Sequence, residues 1–279
     1  CNFINPITFE TLTGNKCLVD TFDRNFQFNV EHISLAKLAD IFLVAPASAD
    51  VIGKIANGIA DDMLTTTIMA CKCPKLISPA MNTNMFTNPI VQDNLKKLEH
   101  YGYEIIQPDS GYLACGDTGA GKMPSEQVLL NYILRTIAKD KDMAGIKLTV
   151  TAGPTREKLD PVRFLSNNST GKMGYAIAKM AMLRGADVTL ISGKVSLEPV
   201  PFVKMVDIVS AEDMYNAVIK SAKDADIIIK AAAVADYRPS DVSDEKIKKK
   251  DGDMSIPLER TKDIIGTLGS NKRDGLFLC

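Results

Sequence analysis

The sequence predicts an α/β protein built from two doubly wound, Rossmann-like domains. Short apolar runs alternate with helical patterns almost throughout, as parallel strands joined by crossover helices require. The alternation stops once, at the charged stretch KDKDMAG (139–145), and then restarts. The length of 279 residues suits two domains of ordinary size. We place them at 1–140 and 146–279.

In the first half, ADIFLVAP (39–46) predicts a strand, and ASADVIGKIANGI (47–59) and DDMLTTTIMAC (61–71) predict helices. PKLISPAM (74–81) is a second strand, NPIVQDNLKKLEHYG (88–102) a helix and YEIIQP (103–108) a strand. A Gly-rich loop is expected over 109–124 and a helix over 125–138. In the second half, IKLTVTAGPT (146–155) predicts a strand, GYAIAKMAMLRGA (174–186) a helix and DVTLISG (187–193) a strand. SAEDMYNAVIKSAKD (210–224) opens with Ser210 as N-cap and acids in its first turn. ADIIIKAAAVADY (225–237) is a strand running into a small-residue turn.

Composition narrows the classes. Hydrophobic residues at 46% and charged residues at 24% read as soluble and globular. A net charge of −1 offers no global field for nucleic acid. No apolar run reaches the roughly 18 residues of a membrane helix, and the opening CNFINPITFE lacks the basic and apolar regions of a signal peptide. Six cysteines without a C-x-x-C pair, and two histidines, argue against zinc and for reduced thiols in the cytoplasm. The absence of an initiator Met and the stop within GLFLC lead us to expect a fragment truncated at both ends.

CGDTGAGKMP (115–124) has the G-x-x-x-x-G-K spacing of a phosphate loop from Gly116, but Met123 stands where a hydroxyl would hold magnesium. The preceding strand also ends eight residues too early. Two readings stay open: a mobile surface loop, or a glycine loop that closes over a pocket with Cys115 as proton donor.

Longer motifs carry a resemblance. SPAMNTNMF (78–86) resembles the P-x-M-N-x-x-M-W signature of flavin-dependent cysteine decarboxylases, with Phe86 in place of Trp. HISLAKLADIFLVAPASAD (32–50) and ACGDTGAGKM (114–123) resemble their His segment and substrate-clamp loop. TAGPTREKLDPVRFLSNNSTGKMGYAIA (151–178), AAAVADYRP (231–239) and EKIKK (245–249) are similar to phosphopantothenate–cysteine ligases. Both sets in one chain resemble the bacterial family that fuses phosphopantothenoylcysteine decarboxylase to that ligase in coenzyme A biosynthesis. The family's earlier flavin-phosphate loop and its ligase C-terminal portion have no counterpart in these residues.

For the first domain the resemblance implies a flavodoxin-like flavoprotein fold, FMN, and catalytic roles for His32 and Cys115, the latter as the acid that protonates the enethiol. It implies substrate binding by Asn82 and Met81, and a flavin-contacting turn at Pro46, Ala47 and Ser48. An amide such as Asn82 can both donate to and accept from a carboxyl group. For the second domain it implies CTP with Mg2+, 4′-phosphopantothenate and cysteine as substrates. Asn167 would hold an acyl-cytidylate and Lys246 would stabilise the pentavalent phosphorus. Arg163, Ser169, Gly171 and Lys172 would bind the phosphorylated substrate, and Lys230, Ala231, Ala232, Asp236, Lys246, Thr261 and Lys262 the CTP. Thr261 and Lys262, in ERTKDI, depart from the family's N-P-D-I form. The family also implies a homo-oligomer. A nicotinamide oxidoreductase is disfavoured by the lack of G-x-G-x-x-G. The alternative reading is a non-catalytic regulatory module on the flavoprotein fold.

Overall fold

Helix and strand signals in the first half resolve into one parallel sheet with helices on both faces. The computed structural model describes residues 4–21, 31–113, 116–249, 252–271 and 273–279. The chain forms two compact units, Cys1–Ile137 and Ala138–Cys279.

In the first unit, Asn5 caps α1 (Pro6–Thr13) and Gly14 ends it in the left-handed region. α2 (Glu31–Leu38) leads to β1 (Phe42–Ala47), α3 (Ala49–Ala56) and α4 (Met63–Ala70). β2 (Lys75–Pro79), the short α5 (Thr83–Phe86), α6 (Pro89–His100) and β3 (Glu104–Ile105) follow. The strands pair in parallel in the order β1-β2-β3. Alternation along β2 separates two cores. Ile77 packs with Val44, Ile52, Ile68 and Leu98. Its neighbour Leu76 faces the other way, onto Ile106 and Leu129.

The expected loop at 109–124 is instead an antiparallel hairpin, β4 (Asp109–Tyr112) and β5 (Thr118–Lys122), with Tyr112 opposite Thr118. Glycine has low strand propensity, so sequence pattern reads this stretch as loop. The expected strand at 103–108 shortens to β3. α7 (Glu126–Ile137) closes the unit.

In the second unit β6 (Lys147–Ala152) is followed by a ribbon, β7 (Arg156–Lys158) and β8 (Phe164–Ser166). α8 (Lys172–Leu183) starts two residues before the expected 174 and stops before 186. β9 (Asp187–Ser192), β10 (Lys204–Asp207), α9 (Ala211–Ser221) and β11 (Ile227–Lys230) complete the alternation. The strand within 225–237 ends at Lys230, and the small-residue stretch expected as a turn follows it. A second ribbon, β12 (Tyr237–Pro239) and β13 (Leu258–Arg260), precedes α10 (Ile264–Ser270) and β14 (Phe277–Leu278). Neither ribbon was legible as a strand pattern.

The five parallel strands lie in the order β10-β9-β6-β11-β14. The chain therefore winds one way from β6 and the other way from β11. The crevice beyond their carboxyl ends is the topological switch point, where such sheets take ligands. α8 packs with Val150 and Leu190 on one face. α9 and α10 pack with Ile191 and Ile228 on the other. Gly174 lets α8 approach β6, since a Cβ there would stand 2.6 Å from that of Ala152. Ser210 and Asp213 form a reciprocal capping box on α9.

Candidate functional site

In the first unit, the turn after β1 meets the turn after β2. The Ala80 N–H donates to the Ala47 carbonyl at 2.9 Å. Pro46 is exposed and Ala47 buried. Ser48 caps α3, its Oγ accepting the Val51 N–H at 3.3 Å. The Met81 N–H then reaches the Gly121 carbonyl at 2.9 Å, which draws the glycine hairpin onto the signature. Asn82 caps α5 through Oδ1, which accepts the Asn84 N–H at 2.8 Å. Its Nδ2 donates to Asp117 Oδ2 at 3.1 Å. Pro46, Ala47, Ser48, Met81 and Asn82 thus converge with the hairpin. Cys115 lies outside the described residues. His32 is the second residue of α2 and half-buried, and among the described residues no hydrogen bond ties it to this group.

Asp117, Ser78 and Thr83 were missed by sequence reasoning. Asp117 sits in the hairpin motif, and its spacing from Asn82 carries no periodic signal. Ser78 Oγ and Thr83 Oγ1 are buried without a hydrogen-bond partner among the described residues. An unpaired buried hydroxyl costs about 1–3 kcal/mol.

In the second unit, threonine side chains shape the switch-point turns. Thr151 Oγ1 accepts the Ala232 N–H at 3.2 Å, and Thr155 Oγ1 accepts that of Ala235 at 3.0 Å. Thr261 donates from N–H to the Asp236 carbonyl at 2.9 Å and from Oγ1 to the Ala235 carbonyl at 2.7 Å. A cavity of about 350 Å³ opens beside them, and Lys230, Asp236, Thr261 and Lys262 all line it. Ala231 and Ala232 lead from β11 into its wall. Arg260 and Asp263 line it too, although only their place in ERTKDI hinted at it.

Burial pulls the Lys230 ammonium below the ordinary lysine value, and Asp263 and Asp236 offset this only in part. Lys262 Nζ donates to Glu212 Oε1 at 2.6 Å and stands 5.0 Å from the Tyr215 ring centre.

Around this crevice, Asn167 Nδ2 donates to the Ala233 carbonyl at 3.1 Å. Ser169 Oγ accepts the Gly171 N–H at 3.4 Å. Gly171 occupies the α8 N-cap without a side-chain cap, and Lys172 begins the helix, exposed. Arg163 is turned onto Asp160, with Nε and Nη2 donating to Oδ2 at 2.9 and 2.6 Å. Lys246 is exposed and does not line the cavity. Among the described residues no cluster of three or more His, Cys, Asp or Glu could hold a metal. No helix there is long and apolar enough to cross a membrane.

A parallel sheet gripped by a glycine hairpin, and a doubly wound sheet with a polar cavity at its switch point, define a two-unit α/β protein. Comparison with known proteins narrows this. The Flavoprotein family matches residues 1–138, and the DNA/pantothenate metabolism flavoprotein C-terminal domain matches 143–279. The coenzyme A biosynthesis bifunctional protein CoaBC of Bacillus subtilis (strain 168) is 45% identical over 281 residues, spanning 100% of this chain and 69% of that protein. The Haemophilus influenzae (strain ATCC 51907 / DSM 11121 / KW20 / Rd) protein of the same name is 42% identical over 270 residues, spanning 97% and 68%. A cysteine/cysteine sulfinic acid decarboxylase from an unknown prokaryotic organism is 41% identical over 280 residues, spanning 99% and 78%. The chain belongs to the CoaBC family of bifunctional coenzyme A biosynthesis proteins.

Proposed function

We propose that the second unit joins 4′-phosphopantothenate to cysteine at the expense of CTP, and that the first unit decarboxylates the product with FMN. The observation that carries this reading is the 45% identity to a bifunctional relative over the whole chain, across both units.

The first unit's residues fit a flavin. Ser78 brings an unpaired buried hydroxyl to the carboxyl-terminal part of β2, near where such sheets take their cofactors. Exposed Pro46 and Ser48 and half-buried Met81 give the apolar surface and polar edge that a planar heteroaromatic ring needs, and buried Ala47 holds the turn through its carbonyl. When bound, FMN supplies the electron acceptor that makes a cysteine carboxylate able to leave as carbon dioxide. Asn82 holds that carboxylate, and its Asp117 contact fixes the amide's orientation. Cys115 returns a proton to the enethiol carbon, and His32 exchanges a proton with a substrate carboxyl or thiol.

In the ligase step the phosphopantothenate carboxylate attacks the α-phosphorus of CTP, and pyrophosphate leaves. Cysteine's amine then attacks the acyl carbon and CMP leaves. Lys230, Lys262 and Lys246 oppose the charge developing on the phosphates. Mg2+ would enter with the nucleotide, and the carboxylate of Asp236 on the cavity wall is a suitable hard donor. Thr261 Oγ1 and the backbone at Ala231 and Ala232 border the nucleotide. Asn167 holds the acyl-cytidylate, while Ser169, Gly171 and Lys172 at the start of α8 take the substrate phosphate. Arg163 belongs to the same substrate region. Assembly as a homo-oligomer in the cytoplasm completes the proposal and rests on the family resemblance.

The test is incubation with 4′-phosphopantothenate, cysteine, CTP and Mg2+, followed by mass spectrometry. Phosphopantothenoylcysteine and then its decarboxylated product are expected. The 41% identical decarboxylase favours a second reading, in which free cysteine or cysteine sulfinic acid is the substrate. Carbon dioxide from those acids without CTP would select it. No product from any of them in folded, flavin-loaded protein would select a regulatory module.

A further inference from the structure

Asp160 is 2% exposed, in the turn between β7 and β8. Its Oδ1 accepts the N–H groups of Val162 at 2.8 Å and Arg163 at 2.7 Å. Its Oδ2 takes the Arg163 side chain and, from far along the chain, the Ile247 N–H at 3.1 Å. Arg163 Nη2 also donates to the Ile247 carbonyl at 2.7 Å. Two side chains thus hold both backbone polar groups of one residue.

The gripped residue follows Lys246. No helix or strand supports 240–249, so a lysine there has no local reason to hold one position. A second tie lies on its other side. The Ser243 N–H donates to the Leu159 carbonyl at 3.0 Å, and Ser243 Oγ donates to the Glu245 carbonyl at 2.7 Å. Lys246 is therefore bracketed by two attachments to the 159–163 turn. Burial by itself would raise the Asp160 carboxyl. The Arg163 side chain and the three N–H groups outweigh it and hold the group well below the usual carboxylate range. The Asp160 carboxylate is thus ionised at neutral pH.

We propose that Asp160 and Arg163 are positioning residues for Lys246, acting through the backbone of Ile247, and that this is how Arg163 serves the reaction rather than as a phosphate ligand. The proposal rests on reading the second unit as a CTP-dependent ligase with Lys246 at the phosphorus. Arg163 can reach the carboxylate and the carbonyl together because the guanidinium is a planar fork. A lysine in its place offers a single point of charge.

The experiment measures pyrophosphate release from CTP in Asp160→Asn, Arg163→Lys, Lys246→Gln and the Asp160→Asn/Lys246→Gln double variant of the full chain. Each positioning variant is expected to lose on the order of 10- to 100-fold in kcat, because small misplacements cost that much. KM for CTP and phosphopantothenate should stay within about threefold. The double variant should be no slower than Lys246→Gln alone. Trypsin should also cleave after Lys246 faster in both positioning variants than in wild type. If Asp160→Asn does not fold, Arg163→Lys carries the test. Unchanged kcat, multiplying losses in the double variant, or a raised KM for phosphopantothenate with kcat retained would overturn the proposal. The last result would make Arg163 a phosphate ligand. Wild-type turnover in Lys246→Gln would instead overturn the reading of Lys246, and the trypsin cleavage would still report on the grip.

Discussion

The Met81 N–H donates to the Gly121 carbonyl at 2.9 Å, and a Cβ on Gly121 would run into the Met81 carbonyl oxygen. Gly121 also sits at φ +130°, where side-chain-bearing residues are strained. The hairpin therefore rests on the Met-Asn signature only because glycine is there. Gly121→Ala should destabilise the first unit by about 1–3 kcal/mol and slow decarboxylation as the hairpin shifts away. Calorimetry and carbon dioxide release measure the two effects. Full activity at wild-type melting temperature would show that the hairpin is not tied to the site.

Lys230 illustrates a cost carried for binding. Its ammonium is held below the ordinary value by burial. Between that lowered value and the ordinary one near 10.4, the unfolded chain binds more protons than the folded one, so stability rises with pH across the window. Lys230→Met should remove this slope, stabilise the ligand-free protein at neutral pH and weaken CTP binding. Denaturant melts across the pH range and nucleotide titrations test all three. A variant that keeps both the slope and the affinity places the charge elsewhere.

Much of the sheet architecture could be read from sequence because β1, β2, β6, β9 and β11 are short Val, Ile and Leu runs between helical patterns. Ser210 was legible because a capping box is local chemistry. The 109–124 hairpin was not, since its strands are held by contacts with Met81 and Thr83 rather than by propensity. The three-residue strands of the two ribbons are too short to show a period. For the site, Lys230, Asp236, Thr261 and Lys262 came from motif resemblance, and no periodicity brings these segments to one cavity. Arg260, Asp263 and Asp160 look like solvated loop charges in sequence. Only the tertiary structure shows that Asp160 is buried and that the other two face a cavity.

Glu212 competes for a cavity lysine. Its carboxylate lies 2.6 Å from Lys262 Nζ and 3.8 Å from Arg238 Nη1. The Lys262 hydrogen bond is the main reason that the Glu212 carboxyl is held below its usual range. Glu212→Gln should free Lys262 and tighten CTP binding by no more than a few-fold, because an exposed ion pair is screened by solvent. The gain should shrink as salt is raised. Isothermal titration at two ionic strengths measures it, and weaker binding would mean that the pair shapes the cavity instead.

Ser48 has two assignments that substitution can separate. As N-cap of α3 it accepts the Val51 N–H, and Ala in its place should cost about 1 kcal/mol while Gly costs a few tenths. If the hydroxyl also meets the flavin, Ser48→Ala and Ser48→Gly should lose FMN alike, although only the first loses appreciable stability. Melting curves and flavin fluorescence after dialysis give the two readings independently. Flavin retained by Ser48→Gly and lost by Ser48→Ala would assign Ser48 to the helix alone, with FMN binding following the stability of α3.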